Sequence, residues 1–185
     1  MKKLTMDELN RISVEEYKQA EKTPIVVVLD NVRSMNNIGS VFRTADAFRV
    51  EKIYLCGITA TPPHRDIHKT ALGAENSVDW EYVEETLDCV KRLCDEGYAV
   101  YSVEQAEGSV MLQDFKADGR KTAVVFGNEI DGVAQEVVDA SDGCLEIPQF
   151  GTKHSLNVSV TAGIVMWYLF SKIVKVHKVV VRHLP

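Results

Sequence analysis

Residues 147–166 read IPQFGTKHSLNVSVTAGIVM. The stretch starts as a strand end, passes through a glycine loop at Gly151 and turns into a helix. Ser155, Asn157 and Ser159 alternate with Leu156, Val158 and Val160 at the helix start. Plain capping by Ser155 explains one short polar residue. Three of them, set between apolar residues, run against helix propensity. A local rule broken where a strand hands over to a helix is a functional-site signal.

Outward from this stretch the chain alternates between two periodicities. Short apolar runs over 25–30, 52–57, 77–83, 98–103, 122–127 and 144–148 read as strands. Helical spacing covers 5–21, 38–48 (capped by Asn36 or Asn37), 84–96, 134–140 and 155 to about 176. Strands alternating with helices give an α/β fold with a mostly parallel sheet flanked by helices. Ligands of such sheets sit at the carboxyl ends of strands. The loops after Asp30, Gly57, Phe126 and Ile147 are therefore the places to look.

The 185 residues suit one domain, and 45% hydrophobic residues can fill its core. No apolar window reaches membrane-span length, and the two lysines at the N-terminus precede no apolar run, so neither a span nor a signal peptide is expected. Cys56, Cys89, Cys94 and Cys144 form no CxxC pair and read as reduced thiols of a cytoplasmic protein. The net charge of −6 argues against nucleic acid only on average. Residues 171–185 carry four Lys/Arg and no acid, while the segment 75–96 holds eight acids.

Three strand-end loops carry the polar residues. In NNIGSVFRTADAF, Asn37 and Arg43 are six apart, which one helix face does not explain; a cap plus a solvated arginine is the bland alternative. In FGNEIDGV, Gly127 and Gly132 permit close backbone approach, and no Lys-Ser/Thr follows as a phosphate loop requires. An ordinary glycine turn with a solvated Glu129 is the alternative there. GxGxxG is absent, which counts against a nucleotide-cofactor oxidoreductase. His64 and His68 sit four apart, but RNA contact or solvation suits them better than a metal, and no metal site is expected.

Together N-x-G-x-x-x-R-T-A (37–45), F-G-N-E-x-x-G-V (126–133) and I-P-x-x-G-x-x-x-S-L-N-V-S-V-x-A-G-I (147–164) resemble, in order and spacing, the three motifs of the SpoU/TrmH methyltransferases of the SPOUT superfamily. Gln149 stands where that family usually has Met, Ile130 where a small residue is common, and Arg49 at a frequent Gly position. The resemblance implies a C-terminal trefoil knot and transfer of methyl from S-adenosylmethionine to a ribose 2′-hydroxyl of tRNA or rRNA, tRNA being favoured, with S-adenosylhomocysteine as product. It implies cofactor contacts at Gly127, Ile147 and Leu156, with Asn128, Gly132 and Gly151 in the same loops. Arg43 becomes the base or a phosphate clamp, oriented with the ribose by Asn37, Ser155, Asn157 and Glu129. The family's homodimer forms through the knot region, and Ile164, Trp167, Tyr168 and Phe170 suit such an interface.

RNA contact then falls to Arg33, Arg65, Lys69 and the tail lysines Lys172, Lys175 and Lys178, which share a helix face by spacing. The expected organisation is a helical extension over 1–23, a methyltransferase domain over 24–170 and a basic tail over 171–185. A non-catalytic RNA-binding module on the same fold is the competing expectation.

Overall fold

The computed structural model describes residues 2–5 and 7–173. Its centre is a seven-stranded sheet in the order β3-β2-β1-β6-β4-β7-β5, with every pairing parallel. The strands are β1 (Thr23–Asp30), β2 (Val50–Cys56), β3 (Trp80–Val83), β4 (Ala99–Val103), β5 (Val110–Met111), β6 (Thr122–Phe126) and β7 (Gly143–Glu146). Between them run α1 (Val14–Gln19), α2 (Met35–Ala47), α3 (Arg65–Ala71), α4 (Ala74–Ser77), α5 (Thr86–Asp95), α6 (Gln135–Ala140) and α7 (Val158–Ile173).

β1 shows why both faces must be covered. Its side chains alternate between two buried layers. Ile25, Val27 and Leu29 join the layer of Ile38, Phe42, Met166 and Leu169 from α2 and α7. Val26 and Val28 join the layer of Cys89, Leu93 and Val137 from α5 and α6. Phe42 is fully buried, so truncating it to alanine costs roughly 3–5 kcal/mol.

The strand expected over 77–83 starts only at Trp80, because Ser77 still closes α4, and three helix starts and one short strand differ as well. The helix expected over 5–21 is broken. A single 3₁₀ turn spans Asp7–Leu9, Asn10 takes a left-handed φ of 46°, and α1 starts only after Ser13. There a capping box restarts the helix: Ser13 Oγ accepts from Glu16 N and Glu16 Oε2 accepts from Ser13 N.

α2 begins at Met35, not 38, because Ser34 is the cap and accepts from Asn37 N at 3.3 Å. Asn37 is thereby released from capping. α7 begins at Val158, not 155. Asn157 Oδ1 accepts from Ser159 N at 2.9 Å and Val160 N at 3.4 Å, so Asn157, and not Ser155, closes the helix start. The two-residue edge strand β5 went unread, being too short to show alternation. The expected continuation of α7 to about 176 lies outside the described residues.

The aromatics of α7 divide. Tyr168 Oη donates to the Gln113 carbonyl at 2.9 Å, with the Phe115 carbonyl 3.3 Å away, and Phe170 packs against the core beside Phe48. Trp167 is left 56% exposed, and Val160 and Ile164 are exposed on the same helix face. The four cysteines are free thiols, three of them buried. Among the described residues no helix is long and apolar enough to cross a membrane.

Candidate active site

The carboxyl ends of β4, β6 and β7 and the start of α7 enclose a cleft of about 470 Å³. Its apolar wall is Phe126, Leu145, Ile147, Leu156 and Val158, and its rim carries Glu104, Gln105, Asn128, Glu129, Ser155 and Asn157. That is a size and character suited to a small organic ligand with one flat apolar part.

The turn after β6 is shaped by two glycines. A Cβ on Gly127 would approach the backbone of Gly132 and Val133 closer than 3.0 Å. Gly132 has φ +71°, and a Cβ there would collide with the Glu104 carboxylate. The turn closes through paired Asn128–Gly132 backbone bonds of 3.1 and 3.2 Å. Asn128 spends its side chain inside this turn, with Oδ1 accepting from Ile130 N and Asp131 N. Glu104 braces it from β4: Oε2 accepts from Val133 N and Oε1 from Gln105 N. Gln105 Nε2 in turn donates to the His154 carbonyl at 2.6 Å, tying the end of β4 to the loop before α7.

The three polar loops meet in one hydrogen-bonded chain. Glu129 receives Arg33 N and Ser34 N at 3.2 Å each and Asn37 Nδ2 at 3.0 Å. An anion at the first turn of α2 also complements the helix dipole. Partial burial alone would raise the Glu129 carboxyl, but the bonds from Asn37, its own backbone, Arg33 and Ser34 outweigh this and hold it below the ordinary value. Asn37 Oδ1 accepts from Asn157 Nδ2 at 3.2 Å and Ser159 Oγ at 3.4 Å. The one Ser159 hydroxyl proton is shared with Asn157 Oδ1, the nearer acceptor at 2.7 Å. Residues more than 90 apart in sequence thus hold one another's orientation at the cleft rim.

Not every expected site residue joins. Gly127, Asn128, Glu129, Gly132, Ile147, Ser155, Leu156 and Asn157 line the cleft; Asn37 adjoins it through Glu129 and Asn157. Gly151 does not line it, and nothing lies within 4 Å of where its Cβ would be. Arg43 is exposed on α2, outside the cleft lining, with no side-chain hydrogen bond or ion pair among the described residues. Arg33, Arg65, Lys69 and Lys172 are exposed, Lys172 lying 5.0 Å from the Tyr168 ring centroid. Lys175 and Lys178 lie outside the described residues. His64 Nδ1 is engaged by Asp66 N and His68 Nδ1 by Glu75, so these two nitrogens do not form a metal pair.

Sequence reasoning passed over Glu104, Gln105 and His154. The strand-end rule reaches the first two, had it been applied after residue 103. Ser159 was noticed as an anomaly but not placed in the site.

A model of the SpoU rRNA methylase family matches residues 24–167. A Staphylococcus saprophyticus protein assigned to the TrmH family of tRNA/rRNA methyltransferases is 30% identical over 159 residues, 86% of this chain and 63% of that one. The tRNA (guanosine(18)-2′-O)-methyltransferase of Thermus thermophilus is 30% identical over 162 residues, covering 86% of this chain and 81% of the relative. An S-adenosylmethionine-bound rRNA methyltransferase from Sinorhizobium meliloti superposes with a TM-score of 0.78 at 25% identity, over 86% of this chain and 61% of that one. The chain thus spans less than two thirds of the length of some relatives it matches. With the family model covering most of its length and three strand-end loops meeting at one cleft, the chain belongs to the SpoU rRNA methylase family.

Proposed function

We propose that this chain transfers a methyl group from S-adenosylmethionine to a ribose 2′-hydroxyl of RNA, tRNA being the favoured substrate. The observation that carries the reading is the Glu129–Asn37–Asn157–Ser159 chain at the rim of the cleft, in a member of this family. The cofactor residues fit an adenosyl group. Ile147, Leu156 and Val158 offer an apolar wall, and the glycine-built turn exposes backbone rather than side chains to the cleft. The bound cofactor supplies an electrophilic methyl on a sulfonium. The chain's own work is positioning: the new O–C bond forms as the S–C bond breaks, and the hydroxyl's proton leaves to water. A 2′-hydroxyl is a weak nucleophile and must be held close to in-line with the methyl. Asn37, Asn157 and Ser155 supply short donors and acceptors for that ribose, and Glu129 fixes Asn37.

A guanidinium is a poor proton acceptor and a good two-pronged donor to phosphate oxygens, which makes a phosphate clamp a better role for Arg43 than a free base. Arg43 stands outside the cleft of its own chain. We assign it to the cleft of a second copy, in a homodimer packed through α7. Supporting this are the exposed Val160, Ile164 and Trp167 face and the Phe48 ring just after α2, 5.7 Å from Trp167. The basic residues Arg33, Arg65, Lys69 and those of the tail over 171–185 would hold RNA, and threading of the last segment as a knot belongs to the same reading. Trp167→Glu should yield a monomer by sedimentation; a wild-type monomer at micromolar concentration refutes the dimer.

The position of Arg43 also favours a second reading, a non-catalytic RNA-binding module. Calorimetry with S-adenosylmethionine followed by transfer of labelled methyl to total RNA separates them. Binding with transfer supports the enzyme; RNA binding without transfer supports the module.

A further inference from the structure

A second pocket, of about 560 Å³, opens between the β2–α3 loop, α4 and the start of β3. It shares no lining residue with the cleft. Its walls include His64, Arg65, His68, Glu75, Asn76 and Trp80. The Glu75 side chain is only 8% exposed. Its Oε1 lies 2.5 Å from His68 Nδ1, while its Oε2 is buried with no hydrogen-bond partner among the described residues. A buried carboxylate oxygen without a donor is costly, and such groups in folded proteins normally have a partner. The pocket therefore lacks a donor-bearing guest. Trp80 is a half-buried aromatic wall, and Arg65 adds an exposed cation to the same lining.

We propose that this pocket binds a guanine base of unpaired RNA, its Watson–Crick edge on Glu75 and its ring against Trp80. The inference rests on the reading of RNA as substrate. Single-stranded RNA is read by stacking bases on aromatic side chains and hydrogen-bonding their edges. Guanine alone among the four bases presents two adjacent N–H donors, N1–H and N2–H₂, on that edge. Cytosine and adenine place a ring-nitrogen acceptor beside their amino group, which a carboxylate repels. Uracil flanks its single N–H with two carbonyls. Oε1 keeps capacity for a second donor after His68, and Oε2 has no partner among the described residues for a guest to displace. Arg65 is the residue type that reads guanine O6 and N7.

The pocket is also fixed relative to the site. Thr70 Oγ1 on α3 donates to the Asn36 carbonyl at 2.9 Å, one residue before Asn37. RNA held here is anchored to the same helix that carries Asn37 and Arg43.

The test follows the Trp80 indole N–H of the full chain by ¹⁵N NMR, assigned with Trp80→Phe, during titration with GMP, AMP, CMP and UMP. GMP should shift it saturably, and the other three should bind about tenfold or more weakly. Glu75→Gln keeps the side-chain shape but replaces one acceptor with a donor. It should weaken GMP about tenfold while leaving S-adenosylmethionine binding unchanged. Equal responses to all four nucleotides, or a GMP affinity indifferent to Glu75→Gln, overturn the proposal. Methyl transfer is measured in parallel. Transfer without a GMP response sinks this site and leaves the enzyme standing. A Glu75-dependent GMP response without transfer keeps the site and removes the activity.

Discussion

Replacing Gly127 with alanine puts a methyl group where the backbone of Gly132 and Val133 already stands. The obstacle is main chain, so no rotamer change relieves it. The turn must open, and opening it breaks the paired Asn128–Gly132 bonds of 3.1 and 3.2 Å. Two bonds at about 1 kcal/mol each, plus about 1–3 kcal/mol for forcing extra volume into a packed place, put the loss near 3–5 kcal/mol. For a chain of this length that corresponds to a melting temperature lower by roughly 6–20 °C. The same turn forms one wall of the cleft, so affinity for S-adenosylmethionine should fall along with stability. Gly151→Ala is the internal control. Nothing lies within 4 Å of its Cβ position, and its φ is not left-handed. It should be neutral or stabilising by up to about 1 kcal/mol. Thermal unfolding by circular dichroism, with calorimetric titration of the cofactor, reads both variants. A Gly127→Ala protein melting within 2 °C of wild type, as ~2 °C is under 1 kcal/mol here, would refute the close approach of Gly127 to the Gly132–Val133 backbone.

Arg43→Ala should lower turnover on the order of 10²-fold or more in a steady-state methyl-transfer assay while cofactor affinity holds, because a clamp used in the transition state adds little to ground-state binding. Arg43→Lys should be nearly as poor, since Lys cannot make the planar two-pronged grip; appreciable rescue at high pH points to proton abstraction instead. Arg49 occupies a left-handed φ of 49°, so Arg49→Gly should be neutral or raise stability by up to about 1 kcal/mol in urea unfolding, the relief of strain being partly offset by glycine's extra freedom when unfolded. The Glu129 carboxyl is held below its ordinary 4.5. Its contribution to ordering the rim is therefore complete above that value and lost as pH falls through the lowered one. The Asn37 side-chain amide resonances should stay fixed down to about pH 4.5 and move only below it; movement between pH 7 and 5 would contradict the Glu129–Asn37 bond.

Strand and helix identity was legible wherever one periodicity ran long enough. β1 and β6 are unbroken apolar runs, and α5 carries an amphipathic repeat. What failed to show was set by single side chains. Ser34, Ser13 and Asn157 each cap a helix, and each moved a boundary by three residues or more. Asn37 and Ser155 are equally good cap residues in isolation, and only tertiary context decides between neighbours. The polar loops could be picked out because they break propensity, but their convergence could not, since the Asn37–Asn157 bond joins residues 120 apart. Glu104 escaped because it sits in an acidic-rich chain as an ordinary solvated carboxylate would. Its role exists only through Val133 N and the missing Cβ of Gly132.

The central claim is that the cleft delivers methyl to a ribose oxygen. The chain, incubated with methyl-labelled S-adenosylmethionine and tRNA, should yield label that digestion and chromatography locate in a 2′-O-methylnucleoside. The label should be lost in Asn37→Ala and Arg43→Ala. Label on a nucleobase instead, or none at all in an enzyme that calorimetry shows to bind the cofactor, would contradict it.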